Sequence, residues 1–323
     1  MIMICIYHIV IHLFFLLLSA FDFVLLAIYN YIANSSHFGK CFREKPETDH
    51  FPGKVMVIFG GSVGSFTLTE MAAEKFYEAG MNVLAVAYRD VEGAPATLSG
   101  IPVEMIANAA HWCKENVADK VGLWGISLGG QLALLAGSLY SDLISCVVAV
   151  NPMHFSQQGM RSFKKMEFEN CSCFTFRGND LPYYPIGQSG DAFRKQIKAD
   201  AKKHHEWMYF RDFYENAVSH MPEDADYIIP SEKIKGSVLL LSAGMDSLLP
   251  SELFCQKVYQ RLTKNQFAYP FEHHNYEIAS HYLLPIKPMT AKMFRVERKQ
   301  PAECDQSRAA AWKDTLHFLE EKW

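Results

Sequence analysis

The feature that most constrains this chain is Gly125-Ile126-Ser127-Leu128-Gly129, set between two apolar runs. Val121 to Trp124 lead into it at strand-like density, and Leu132 to Leu139 follow at helical spacing. A strand, a sharp turn and a helix around G-x-S-x-G form a nucleophile elbow, which holds the serine in a strained conformation with its hydroxyl exposed. Bulk two residues to either side would collide across so tight a turn, so Gly125 and Gly129 suit those places. The bland alternative is a glycine-rich strand-to-helix turn without chemistry.

The rest of the chain fits a strand-and-helix alternation. Strands are expected at Lys54–Phe59, Asn82–Tyr88, Val121–Trp124, Ser145–Val150, Val238–Ser242 and Phe267–Phe271. Helices are expected at Thr67–Ala79, Ile101–Val117, after Ser127, and at Ser251–Leu262 and Ala309–Glu320. This rhythm predicts an α/β protein with a mostly parallel sheet covered by helices on both faces. Residues 152–235 break it. They are rich in Met, Phe, Tyr and charge, and read either as an insertion or as a surface excursion; Trp207, Tyr209, Phe210, Phe213 and Tyr214 argue against disorder.

Composition excludes some functions. A net charge of −4 over 323 residues argues against polyanion binding, so no nucleic-acid partner is expected. The eight cysteines form no CxxC pair. Cys113, Cys146 and Cys255 fall on apolar faces and read as reduced core thiols, which favours an intracellular catalytic domain. No metal or redox cofactor is implied. A basic stripe of Arg194, Lys195, Lys198, Lys202 and Lys203 reads as a solvated helix face or as a seat for phosphates.

The amino terminus has a different character. Residues 1–33 carry one charge, Asp22, and the run is long enough to cross a bilayer. It lacks a basic leader, and Lys40, Arg43 and Lys45 follow it. A membrane anchor with a cytosolic catalytic domain, a cleaved signal and an incorrect translation start are the competing readings. Sequons at Asn34 and Asn170 matter only in a lumenal setting. Residues 34–50 read as a linker, and 51–323 as the catalytic domain.

A serine needs a base and an acid, which in sheets of this kind follow it in the order acid, histidine. Asp246 ends the apolar run Leu239 to Leu241 and its turn; Asp224 and Asp226 precede that strand and are less well placed. His281 sits in a loop after the last strand, whereas His273 and His274 continue the strand itself. The oxyanion hole is expected from the N–H of Leu128 and from Ser62 or Val63 in the glycine loop Phe59-Gly-Gly-Ser-Val-Gly-Ser65.

Several stretches from Phe51 onward resemble the acyl-CoA thioesterases and bile acid-CoA:amino acid N-acyltransferases. They are Phe51-Pro-Gly, Phe59-Gly-Gly-Ser, Ala85 to Pro95, Ile101-Pro-Val-Glu104, Gly125 to Gly129, Ile229 to Gly236 and Ala279-Ser-His281. The resemblance implies an α/β-hydrolase fold with residues 152–235 as a lid over the nucleophile. It assigns Ser127, Asp246 and His281 as nucleophile, acid and base, and a fatty acyl-CoA as substrate. The family's acid turn has two adjacent acids where this chain has Met245 and Asp246, and Ser280 replaces the glycine before the histidine. Full-length relatives carry an amino-terminal β-domain where this chain has its hydrophobic run, which makes contact with a membrane through residues 1–33 one expectation. The family's transferase uses cysteine, so Ser127 favours hydrolysis. Amino-acid N-acyl transfer, carboxylesterase or dienelactone-type hydrolysis, and an inactive tethered binding protein are the rival readings.

Overall fold

The computed structural model describes residues 38–42, 49–62, 66–89, 91, 94–187 and 189–323. The hydrophobic run at 1–33 and Val63 lie outside the described residues.

Seven strands make one sheet: β1 (Phe38–Phe42), β2 (Lys54–Phe59), β3 (Asn82–Ala87), β4 (Lys120–Ile126), β5 (Cys146–Val150), β6 (Ser237–Ala243) and β7 (Phe271–Tyr276). Their order in space is β1-β3-β2-β4-β5-β6-β7. Every pairing is parallel except that of β1 with β3. The stretch read as a linker therefore holds an edge strand. The chain winds one way from β2 to β3, then returns to β4 and continues the other way. The loops after β2 and β4 consequently diverge, which leaves a crevice at the carboxyl ends of these strands.

Helices α1 (Phe66–Glu78), α2 (Glu104–Asn116), α3 (Leu128–Leu139), α4 (Gly190–His204), α5 (Arg211–Ser219), α6 (Ser251–Lys264), α7 (Arg295–Lys299) and α8 (Pro301–Glu321) accompany the sheet. Strand alternation sends Val55 and Val57 to one face and Met56 and Ile58 to the other. The first face packs on α2, α3 and α6 through Ile106, Leu132 and Val258. The second packs on α1 and α8 through Phe76 and Phe318. Full burial of such a side chain contributes about 2–3 kcal/mol. Residues Leu128 to Ser138 of α3 are all buried, so the helix bearing the elbow is wedged in on every side.

Three boundaries differ from the sequence reading. The helix expected from Ile101 starts at Glu104, because Ile101–Pro102 pairs with Phe174–Thr175 as a short strand. The last strand runs over Phe271–Tyr276 rather than Phe267–Phe271. Being an edge strand, it carries Glu272, His273, His274 and Asn275 at half-exposed or exposed positions, so no apolar run marks it. Phe267 instead packs edge-on against Phe271. Helix α8 begins at Pro301, a residue suited to the first turn.

The described residues of the 152–235 stretch form regular elements and a packed cluster. They hold the hairpin Gln158–Ser162 with Glu167–Ser172, the strand Phe174–Phe176, and α4 and α5. Phe155, Ile186, Phe193, Phe210 and Tyr214 form a third apolar cluster with Phe254 of α6. Cys113, Cys146, Cys171, Cys173, Cys255 and Cys304 are free thiols. Burial pushes those of Cys146 and Cys255 up, as expected of inert core residues. Among the described residues no helix is long and apolar enough to cross a membrane.

Candidate active site

Ser127 joins β4 to α3 with φ 59° and ψ −121°, a conformation that costs a non-glycine residue about 1–3 kcal/mol. Its N–H donates to the Val150 carbonyl at 2.7 Å, and its own carbonyl accepts from Gln131 N–H at 3.0 Å. From Val121 to Gly130 it is the single residue that is not buried. The two glycines avoid different neighbours. A Cβ at Gly125 would overlap the Gly129 carbonyl, across the turn. A Cβ at Gly129 would instead overlap the Gly60 carbonyl of the loop after β2.

That loop lies against the elbow. A Cβ at Gly61 would come within 3.1 Å of the Ile126 carbonyl oxygen and 3.2 Å of Ser127 Cβ. The Tyr88 hydroxyl donates to the Gly60 carbonyl at 2.9 Å, and Arg89 donates to the Ser62 carbonyl. Leu128 opens α3, so its N–H has no acceptor within the helix. Leu128 and Ser62 both line the cleft beside Ser127.

His281 and Asp246 are 5% and 1% exposed, and Nδ1 of the histidine lies 2.7 Å from Oδ2 of the aspartate. The other carboxylate oxygen accepts from the N–H groups of Leu248 and Leu249 at 2.9 and 3.1 Å. Both aspartate oxygens are thereby committed, and Nε2 is the imidazole nitrogen left for the cleft. Ser127 and His281 line the same cleft without a direct hydrogen bond between their side chains. The other candidates are elsewhere. His273 meets Ser242 at 2.8 Å, and His274 meets Glu272 at 2.8 Å, both on the edge of the sheet. Asp224 and Asp226 are exposed in the insertion. Among the described residues no group of three or more His, Cys, Asp or Glu could hold a metal ion.

Three supports have roles that the sequence reading did not give them. Asn151, after β5 and fully buried with φ 45°, donates to the His281 carbonyl and accepts from Ala243 N–H, both at 2.9 Å. It ties the histidine loop to the acid strand. Ser280 donates to the buried Glu297 at 2.6 Å, and Glu297 is paired with the buried Arg308. Arg211 of α5 donates to the carbonyls of Gly244 and Asp246 at 3.1 and 3.3 Å, and pairs with Glu252. The insertion therefore grips the acid turn directly.

The cleft encloses about 1170 Å³, part of it open to solvent. Trp124, Ile126 and Leu284 wall it from the sheet side, and Met160, Phe163, Phe193, Phe210 and Phe213 wall it from the insertion. No Lys or Arg is among its described lining residues.

A parallel sheet wound both ways from one crevice, an elbow serine after its central strand and an acid–histidine pair after its late strands define an α/β-hydrolase. A sugar hydrolase from Lactococcus lactis has the same fold. It is 17% identical, with a TM-score of 0.51, over 88% of this chain and 96% of that one. Within that class the chain belongs to the family described as BAAT / Acyl-CoA thioester hydrolase C terminal, whose model matches residues 101–322. It is similar to the mouse (Mus musculus) peroxisomal succinyl-coenzyme A thioesterase, 27% identical over 243 residues, which make up 74% of this chain and 51% of that protein. It is similar also to human (Homo sapiens) acyl-coenzyme A thioesterase 1, 27% identical over 225 residues, 67% of this chain and 45% of that one. The chain spans about half the length of the curated relatives it matches.

Proposed function

We propose that this protein hydrolyses fatty acyl-CoA thioesters to a free fatty acid and coenzyme A. The observation that carries the reading is the buried His281–Asp246 pair opening, together with the elbow serine, onto one apolar cleft. Ser127 attacks the thioester carbonyl while His281 Nε2 takes its proton. Asp246 fixes the ring by accepting from Nδ1 and stabilises its charged form. The N–H of Leu128 and a second donor from Ser62 or Val63 hold the oxyanion, each contributing about 3 kcal/mol. Coenzyme A leaves as the thiol after proton transfer from His281. Water, deprotonated by His281, then cleaves the acyl-serine. Family membership and the names of the two thioesterase relatives support a thioester substrate. The lack of Lys or Arg among the described lining residues supports an uncharged acyl chain over the half-thioester of a diacid.

Release of thiol from lauroyl-CoA, followed with a chromogenic thiol reagent, tests the proposal. Ser127→Ala is expected to fold normally and to lose turnover by about a thousandfold or more. Near-normal turnover in that variant refutes the mechanism. Mass spectrometry of products formed with glycine and taurine present is expected to give free acid; conjugates would move the activity to acyl transfer.

A further inference from the structure

We propose that a basic rim at the mouth of the cleft seats the phosphates of the coenzyme A moiety. The inference rests on the acyl-CoA reading and names where the polar end of such a substrate goes. The acyl chain is taken up by the apolar interior, so the charged nucleotide end must leave through the opening. Trp207, which lines the cleft and is 51% exposed, marks that opening. It follows α4 directly. Met293 and Phe294, which also line the cleft, lead into α7. The two segments are joined: Arg298 Nη2 donates to the His205 carbonyl at 2.8 Å, and Arg295 N–H donates to Glu206 at 2.8 Å.

Cations gather on both sides of this junction. Lys202 and Lys203 occupy the last turn of α4, and Lys292, Arg295, Arg298 and Lys299 flank Met293 and Phe294. All six are exposed, and among the described residues none is ion-paired with a carboxylate. Burial of Phe193, Ile197 and Ala201 fixes which side of α4 faces outward. Arg194, by contrast, is paired with Asp191 at the far end of that helix. The carboxylate within the rim, Glu206, accepts from the Arg295 N–H; burial pushes its pKa up, against the opposing pull of the Arg298 and Arg295 charges. A chain of net charge −4 thus gathers six cations around one carboxylate where a phosphate-bearing tail would emerge. Lysine and arginine on such a surface recognise phosphoryl oxygens by charge-assisted hydrogen bonds. The same rim gives a reason for preferring coenzyme A thioesters over simple esters of equal chain length.

The test replaces Lys202, Lys203 and Arg295 together by glutamine and leaves Arg298, which holds three carbonyls, in place. Titration calorimetry with adenosine 3′,5′-bisphosphate is expected to show binding to the native protein, weakened about tenfold or more in the triple variant at low salt. The KM for lauroyl-CoA is expected to rise by a similar factor, while that for S-lauroyl-pantetheine, which has no phosphates, stays put. A native protein that binds no bisphosphate, or a variant that loses equally with both thioesters, overturns the proposal. So does a variant that loses binding to phosphatidylserine vesicles yet keeps its KM for lauroyl-CoA. If the native enzyme cleaves neither thioester, the activity reading fails, and the bisphosphate titration still decides the rim.

Discussion

Replacing Asn151 by glycine isolates a support whose role comes entirely from tertiary structure. Asn151 stands at φ 45°, a conformation glycine adopts without cost, so the substitution leaves the backbone at ease and removes only the side chain. Two buried hydrogen bonds disappear, one to the His281 carbonyl and one from Ala243 N–H. Ala243 keeps a second acceptor in Ser251 Oγ at 3.3 Å, so the larger penalty falls on the His281 carbonyl. One lost bond of ordinary strength and one buried carbonyl left unsatisfied come to about 2–3 kcal/mol. The histidine loop then has one restraint fewer beside the acid strand, and a displacement on the order of 1 Å costs about a hundredfold in rate. Urea unfolding followed by tryptophan fluorescence reads the first effect, and kcat on lauroyl-CoA the second. Asn151→Asp keeps the shape but sets a buried negative charge against a carbonyl, so a greater loss of stability is expected. Native stability together with native kcat in the glycine variant would refute the reasoning.

Two further outcomes follow from the packing. Gly125→Ala places a methyl group on the Gly129 carbonyl, so the elbow must open; loss of the cooperative unfolding transition or of turnover is expected, and a native-like variant would show that the turn has slack. Burial, with Lys257 nearby, lowers the His154 pKa to about 3. The unfolded chain takes up this proton near pH 6.5 and the native state refuses it, so the contribution to stability is lost as pH falls from about 6.5 toward 3, by about 5 kcal/mol at its limit. His154→Gln is expected to flatten the acid limb of the stability curve, and unchanged slopes in urea titrations across that range would refute it.

The elbow was legible because its determinants are adjacent in sequence: two glycines, one serine and apolar runs of distinct periodicity. Asp246 and His281 were singled out by their order behind strands, and the fold places the two in hydrogen-bonding contact. Asn151 was not, because its partners lie 92 and 130 residues away and no short pattern encodes such a brace. The Ser280–Glu297–Arg308 chain was hidden for the same reason, although the serine in place of the usual glycine was a visible hint. Its hydroxyl has a buried partner that a glycine would leave without one. The edge strand β7 was misplaced because a strand with one free edge and mixed burial need not be apolar. Inside the sheet, where β2, β4, β5 and β6 are buried on both faces, apolar runs marked the strands to within a few residues.

The third apolar cluster has a consequence of its own. Phe193 and Phe210 belong to it and also face the cleft, whereas the two clusters that hold the helices to the sheet draw on other residues. Substitutions there can reshape the cleft from the insertion side with the packing of α1, α2 and α8 on the sheet left as it is. On the sheet side, Trp124, Ile126 and Leu284 line the cleft and also hold the core, so variation in what the cleft accepts is expected to gather on the insertion side.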